Sequence, residues 1–165
     1  MKVILLVLVL LLGFTIQSSL VEKISILGFR PDLLLAIVVY IGLLRGPIPA
    51  SVAGFVIGLV VDLSTTHLLG INALSMSVAG FVAGNVWVHI NRESSLAQFL
   101  VLFLLSLLHD IIFLILTTGG RLADILQSLG WVSIPSGLYT SAISPVLFRI
   151  FMKLVGTKVK LEGRG

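Results

Sequence analysis

Hydrophobic residues occur along this chain in long runs that are separated by short polar segments. The runs cover positions 3–21, 31–44, 47–63, 71–89, 96–118 and 134–155. A helix rises about 1.5 Å per residue, so most of these runs are long enough to cross about 30 Å of hydrocarbon. The pattern therefore predicts an all-α integral membrane protein in which about six transmembrane helices form one bundle.

Two of the runs leave alternatives open. The run 3–21 follows Lys2 like a signal peptide, but it has no small-x-small cleavage pattern, which favours a retained first span. The run 31–44 is shorter than a usual span. Either neighbouring protein or a thinned bilayer shelters its ends, or it forms with 47–63 a hairpin that does not fully cross. We favour two short spans, because the asymmetry of positive charge along the chain needs both.

Composition agrees with a membrane environment. The 165 residues are 58% hydrophobic and 11% charged, with a mean hydropathy of +1.18, which leaves too little polar surface for a soluble globule. No composition shift marks a linker, so positions 1–165 are expected to form a single polytopic domain. The absence of cysteine excludes disulfides, thiolate metal sites and cysteine nucleophiles.

The distribution of positive charge predicts the orientation of the bundle. If every run crosses, one side of the membrane holds Lys2, Arg45, Arg92, Arg149, Lys153, Lys158, Lys160 and Arg164, and the other holds Lys23, Arg30 and Arg121. The positive-inside rule then places both termini in the cytoplasm. The basic tail at 156–165 is expected to meet anionic lipid headgroups rather than nucleic acid.

The segment 121–131 is predicted to form an amphipathic helix at the membrane interface. Its apolar residues recur at helical spacing with polar residues between them: Leu122, Ile125, Leu126 and Leu129. Trp131 is the kind of residue that anchors a helix at the interface.

Two of the runs contain nearly the same heptapeptide, VAGFVIG at 52–58 and VAGFVAG at 78–84. Each holds a Gly-x-x-x-Gly motif, formed by Gly54 and Gly58 in the first and by Gly80 and Gly84 in the second. Helices in lipid associate through close backbone approach, which glycine permits. We expect these glycines to pack the helices of this chain together; the alternative is that they dock a helix of another protein.

Asp110 lies beside His109 in the interior of the run 96–118. A carboxylate near the centre of the bilayer costs about 2.5 to 3.5 kcal/mol, so this one is expected to face protein or water. Its depth matches a polar stripe on the last run. We therefore expect a cluster of buried polar residues that holds the last two spans together: Asp110, Thr140, Ser141 and Ser144. The alternative is a proton or ion relay through Asp110 and His109.

The sequence contains no motif of a known catalytic, phosphate-binding or metal-binding site. We therefore expect no enzymatic activity and no cofactor.

More specific motifs lie between positions 29 and 84: FRPDLLL at 29–35, YIGLLRGP at 40–47, GLVVDL at 58–63 and LGINAL at 69–74. This segment resembles the family of the rod shape-determining protein MreD. The motif positions carried over by the resemblance, as candidates for partner contact, are Arg30, Pro31, Asp32, Arg45, Gly46, Asp62, Gly70 and Asn72.

Turn and cap chemistry offers a second explanation of these motif positions. Proline and an acidic residue suit the start of a helix, as at Pro31 and Asp32. A basic residue followed by glycine suits its end, as at 45–46. Asp62 and Asn72 flank a short turn and are expected to cap it or to pair across it.

The resemblance implies a non-enzymatic, multi-pass protein of the bacterial inner membrane that belongs to the cell-wall elongation machinery. Its expected partner is MreC, and through MreC the RodA glycosyltransferase, a class B penicillin-binding protein and the actin-like filament protein. The family's fold is similar to that of the substrate-binding subunits of energy-coupling-factor vitamin transporters. That similarity supplies the alternative function, which is the membrane subunit of a small-molecule transporter.

Overall fold

The computed structural model describes residues 31–65, 69–86 and 94–155. Within these ranges the chain is helical and contains no β-strand. The helices are α1 (Leu33–Arg45), α2 (Pro47–Ser64), α3 (Ile71–Val86), α4 (Ser95–Thr118), α5 (Leu122–Ser128) and α6 (Ile134–Val155), with a π-helical turn at Leu129–Ser133. The predictions made for Lys2, the run 3–21, Lys23, Arg30, Arg92 and the tail 156–165 lie outside the described residues.

The helix boundaries follow the predicted runs, and local chemistry explains the small differences. Asp32 caps α1, so the helix begins two residues later than the run 31–44. Ser94 caps α4, where its Oγ accepts the Ala97 N–H at 3.3 Å. Gly119 ends α4 in the left-handed conformation, with φ of 64°, which glycine adopts at little cost.

By length and composition, α2 and α4 are long and apolar enough to cross a membrane. The helices α1 and α3 are also apolar but shorter, with 13 and 16 residues. The predicted all-α architecture is therefore confirmed for the described residues, and two of the helices are candidate spans.

The short helix α1 lies at the centre of the bundle and packs against α2, α3, α4 and α6. Val38 and Val39, on successive positions of its surface, are both fully buried. The Tyr40 ring contacts two rings of α6, with centroid distances of 5.1 Å to Phe148 and 6.0 Å to Phe151. A helix that is apolar all round is suited to such a site, because no side of it meets water.

The contacts also fix the directions of the helices. Gly84 near the end of α3 meets Pro47 at the start of α2, so these two helices are antiparallel. The start of α1 meets Thr140, and Tyr40 further along meets Phe151, so α1 and α6 run in the same direction. The bundle therefore has an Arg45 end, where α1 meets α2, and an Asp62 end, where α2 meets α3.

The two Gly-x-x-x-Gly motifs face one another across the α2–α3 hairpin. A Cβ atom added at Gly54 would lie 2.7 Å from the Met76 carbonyl carbon, and one added at Gly80 would lie 2.6 Å from the Ala50 carbonyl oxygen. Likewise, a Cβ at Gly58 would overlap the backbone of Asn72 and Ala73, and one at Gly84 would overlap that of Gly46 and Pro47. Each glycine thus allows a close approach of two backbones. The predicted packing within the chain is therefore seen at these four glycines, which lie against the chain's own backbone.

The amphipathic segment predicted at 121–131 divides into two elements. The regular helix α5 ends at Ser128, and the π-helical turn then joins it to α6 without a break. Pro135 has no N–H to donate, and the Ile134 N–H bonds the Leu129 carbonyl five residues back. Ile125 faces the bundle, whereas Leu122 and Trp131 are about three-quarters exposed, at 75% and 76%.

The glycine packing gives a prediction for Gly80→Ala. The new methyl group would lie 2.6 Å from the Ala50 oxygen and 2.8 Å from Val38 Cγ1, so the backbones have to separate. We expect the free energy of unfolding to fall by about 1 to 3 kcal/mol, which lowers the melting temperature in detergent by roughly 3 to 8 °C.

Gly130→Ala is the matched control, because a Cβ at Gly130 meets no atom within 4 Å. This variant is expected to melt at the wild-type temperature or slightly above it, since alanine favours a helix. Equal melting temperatures for the two variants would contradict the close approach of α2 and α3.

Candidate functional site

The carboxylate of Asp62 closes the turn between α2 and α3. Its Oδ1 accepts the backbone N–H of Asn72 at 3.1 Å and the Asn72 Nδ2 at 2.9 Å. Its Oδ2 accepts the backbone N–H of Gly70 at 2.9 Å and that of Ala73 at 3.1 Å. Only 1% of Asp62 is exposed. The predicted pairing of Asp62 with Asn72 is therefore confirmed.

The position of Asp62 explains why an acid is buried there. The first N–H groups of α3 have no partner within the helix, and the positive end of the helix dipole attracts a negative charge. The Asp62 carboxylate supplies both the hydrogen-bond acceptors and the negative charge, and it lies in the last turn of the preceding helix, α2. Gly70 has φ of 99°, a left-handed conformation that brings its N–H to the carboxylate with no Cβ in the way.

At the opposite end of the bundle, Gly46 forms the whole link between α1 and α2. Its φ is 88°, its N–H donates to the Gly42 carbonyl at 3.0 Å, and α2 begins with Pro47 directly after it. Arg45 is the last residue of α1 and is exposed. The helix end predicted at 45–46 is confirmed.

Asp32 joins the start of α1 to α6. Its Oδ1 accepts the Leu35 N–H at 2.9 Å, which caps α1, and its own N–H donates to Thr140 Oγ1 at 3.0 Å. Pro31 is buried but precedes the helix, so it is not in the first helical turn as predicted. The physical reason is that Asp32 already acts as the cap and therefore has to stand outside the helix.

The polar stripe of α6 is buried as predicted, and its partners are backbone carbonyls and α1. Thr140, Ser141 and Ser144 are each at most 1% exposed. The hydroxyls of Thr140 and Ser141 donate within α6, to Ser136 at 2.8 Å and Gly137 at 2.6 Å. Tyr40 of α1 donates its hydroxyl to the Ser144 carbonyl at 2.5 Å.

Asp110 does not pair with this stripe as predicted. Its Oδ1 lies 3.0 Å from Nδ1 of the adjacent His109, and the exposed fractions are 7% for the His109 side chain and 30% for that of Asp110. The turn of α4 places His109 inside and Asp110 at the margin, and the contact with Thr140 is made instead by the backbone N–H of Asp32.

The contact between the start of α1 and the interior of α6 was not predicted from the motifs, but helix length gives a signal for it. The helix α1 has 13 residues and α4 has 24, so both ends of α1 cannot reach the ends of α4. At least one end of α1 therefore lies at an intermediate depth, and the contact of Asp32 with Thr140, inside α6, shows that this is its first end.

The motif residues that the structure describes thus form two groups. One closes the Asp62 end of the α2–α3 hairpin, and the other connects α1 to its neighbours. Among the described residues, no three histidine, cysteine or acidic side chains are placed to hold a metal ion. What the arrangement does, on these contacts, is fix the helices of the bundle relative to one another.

Comparison with protein families agrees with the motif segment. The family described as rod shape-determining protein MreD matches residues 1–157, which extends well beyond the positions 29–84 that carry the motifs. No curated protein and no solved structure matches the chain.

The network of Asp62 predicts that Asp62→Ala strongly destabilises the bundle. The substitution leaves three backbone N–H groups and the Asn72 amide of this turn without their acceptor. Hydrogen bonds to a charged group each contribute about 1.5 to 3 kcal/mol, so we expect a loss of about 3 kcal/mol or more in detergent-solubilised protein.

Asp124→Ala is the matched control, because Asp124 is an exposed acid on α5. Its melting temperature is expected to stay within about 2 °C of the wild type. If both variants melted like the wild type, the Asp62 network would not stabilise the fold.

Proposed function

The chain belongs to the MreD family of rod shape-determining proteins, and on this premise we propose that it is a non-enzymatic scaffold of the cell-wall elongation complex in the bacterial inner membrane. It binds MreC and, through MreC, helps to organise peptidoglycan synthesis by RodA and a class B penicillin-binding protein along the actin-like filament. The observation that carries the proposal is the family match over residues 1–157. Membership itself establishes a membrane protein that takes part in determining rod shape.

The use of the motif residues supports a scaffold. The acids Asp32 and Asp62 both accept hydrogen bonds from the chain itself, and Gly46 and Gly70 shape the links between helices. A rigid bundle is what a scaffold needs, because a partner then meets a surface of fixed shape.

The surface offered to a partner is the outer side of the bundle. On α2, the residues that point away from α3 are large, apolar and exposed: Ile48, Val52, Phe55, Val56 and Leu63. In a bilayer such a surface meets acyl chains or the helix of another membrane protein, which packs against it by van der Waals contact.

We also propose six crossings, with the run 3–21 as the first and the Arg45 end of the bundle in the cytoplasm. The exposed cations Arg45, Arg149 and Lys153 lie on helix segments near that end and support this orientation. In this arrangement the fold is similar to that of the substrate-binding subunits of energy-coupling-factor transporters.

The proposal is tested by affinity purification of the tagged chain from its own bacterium in a mild detergent. We expect MreC to copurify, and a tagged membrane protein of similar size serves as the control. Purification without MreC, with a vitamin retained on the protein, would instead support the transporter subunit.

Photo-crosslinking tests which surface of the bundle contacts MreC. A crosslinker at Val52 or at Leu104 stands on an exposed face, and one at Ala79 is fully buried between helices. We expect crosslinks to MreC from at least one exposed position and none from Ala79. Crosslinks from no exposed position would count against direct binding through α2 and α4.

The orientation is tested with single cysteines, which the chain allows because it has no native cysteine. We expect Leu122→Cys, which is exposed beyond α4, to react with a membrane-impermeant maleimide in intact spheroplasts. Arg45→Cys is expected to react only after the membrane is permeabilised. The reverse pattern would show that the bundle is inserted the other way round.

A further inference from the structure

The outer face of α6 carries a stripe of apolar side chains that ends in two cations. Leu138, Val146 and Ile150 are 43%, 54% and 50% exposed, and Arg149 and Lys153 are exposed as well. Steps of three, four or eight positions stay on one face of a helix, so these five side chains form one surface, the α6 stripe. The buried side chains on the other face of α6 include Thr140, Ser141, Ser144 and Phe151.

The length of the α6 stripe matches one leaflet of a membrane. Eleven positions separate Arg149 from Leu138 (149 − 138), which corresponds to about 16 Å along a helix. Half of a hydrocarbon core of about 30 Å is about 15 Å. When Arg149 lies at the depth of the headgroups, Leu138 therefore reaches the middle of the bilayer, and a lipid chain can lie along the whole stripe.

The two cations of the α6 stripe are not neutralised within the described part of the chain. Arg149 and Lys153 take part in no ion pair or hydrogen bond there. The described acids belong to other helices or their caps: Asp32 before α1, Asp62 in α2, Asp110 in α4 and Asp124 in α5. Two positive charges therefore lie about one helical turn apart without a negative partner.

A phosphate group is the ligand that suits this pair of charges. The guanidinium of Arg149 can donate two parallel hydrogen bonds to phosphate oxygens, and the ammonium of Lys153 adds a compact positive charge. Residues four positions apart on a helix have Cβ atoms about 6 Å apart, so one phosphate group can contact both side chains. A zwitterionic headgroup brings a cation of its own to this place, whereas an anionic headgroup does not.

We propose that the α6 stripe binds one anionic phospholipid, with its phosphate group between Arg149 and Lys153 and an acyl chain along Ile150, Val146 and Leu138. The lipid covers the face of α6 that is turned away from Tyr40, which contacts the opposite face. The inference rests on α6 being one of the six crossings proposed above. It is independent of MreC binding.

The test is native mass spectrometry of the whole chain in detergent, titrated with phosphatidylglycerol or with phosphatidylcholine of the same acyl chains. We expect the first phosphatidylglycerol to bind roughly 25-fold more tightly, since each cation beside an anionic group contributes about fivefold. Arg149→Gln and Lys153→Gln are each expected to reduce this preference about fivefold. Glycerol 1-phosphate, which has the phosphate group but no acyl chain, is expected to bind at least about tenfold more weakly than phosphatidylglycerol.

Arg121→Gln is the matched control, because Arg121 is also an exposed arginine but lies before α5, away from the α6 stripe. It is expected to keep the full preference for phosphatidylglycerol. The three variants replace exposed side chains, so their melting temperatures are expected to stay within about 2 °C of the wild type.

Equal binding of the two lipids by the wild type would overturn the proposal. So would an undiminished preference in Arg149→Gln and Lys153→Gln together with its loss in Lys158→Gln, because the lipid would then be bound by the basic tail. Glycerol 1-phosphate that binds as tightly as the lipid would show an anion site without a role for the apolar stripe. A failure of MreC to copurify leaves all these affinities unchanged, so the two proposals fail separately.

Discussion

Polar groups that lie in hydrocarbon have to find their partners inside the protein, and this requirement shapes the whole bundle. Asp62 shows it most clearly, because all four of its donors belong to the turn that it closes. Thr140 and Ser141 meet the same requirement by donating to carbonyls of their own helix, and Tyr40 by donating to a carbonyl of α6. The contacts of Asp62 and Tyr40 fix one helix against another, and that of Asp32 also completes a helix end.

Close approach of helix backbones is the second determinant of the fold, and the glycine motif that permits it occurs twice in the sequence. The heptapeptides at 52–58 and 78–84 lie on antiparallel helices, so each one presents its glycines to the other. This is why the repeat could be interpreted correctly before the fold was known: glycine spacing specifies a contact face regardless of which helix provides the partner. The helix ends at Asp32 and Gly46 were predictable for a similar reason, because caps depend on local sequence.

The errors in prediction arose where the rotation of one helix about its axis decided the outcome. Hydrophobic runs indicate depth, and the depth of Asp110 was sufficient to suggest α6 as its partner. They do not indicate that His109 turns inward while Asp110 stays at the margin. The end of α5 was missed because the apolar residues keep their helical spacing from α5 into the π-helical turn, so the pattern does not show where the regular helix ends. The short run 31–44 forms α1, which neighbouring helices bury within the described part of the chain.

The difference in helix length has a consequence for the surrounding lipid. At about 1.5 Å per residue, the 18 residues of α2 span roughly 27 Å and the 24 residues of α4 roughly 36 Å. Both helices expose large apolar side chains in the described part of the chain, so if both cross the membrane, the lipid around them cannot have one thickness unless α4 tilts. In such a membrane, acyl chains beside the α2–α3 hairpin would be compressed relative to those beside α4, at a cost of a fraction of a kcal/mol per ångström. This cost falls when another membrane protein with an equally short hydrophobic span packs against the hairpin in place of the compressed lipid.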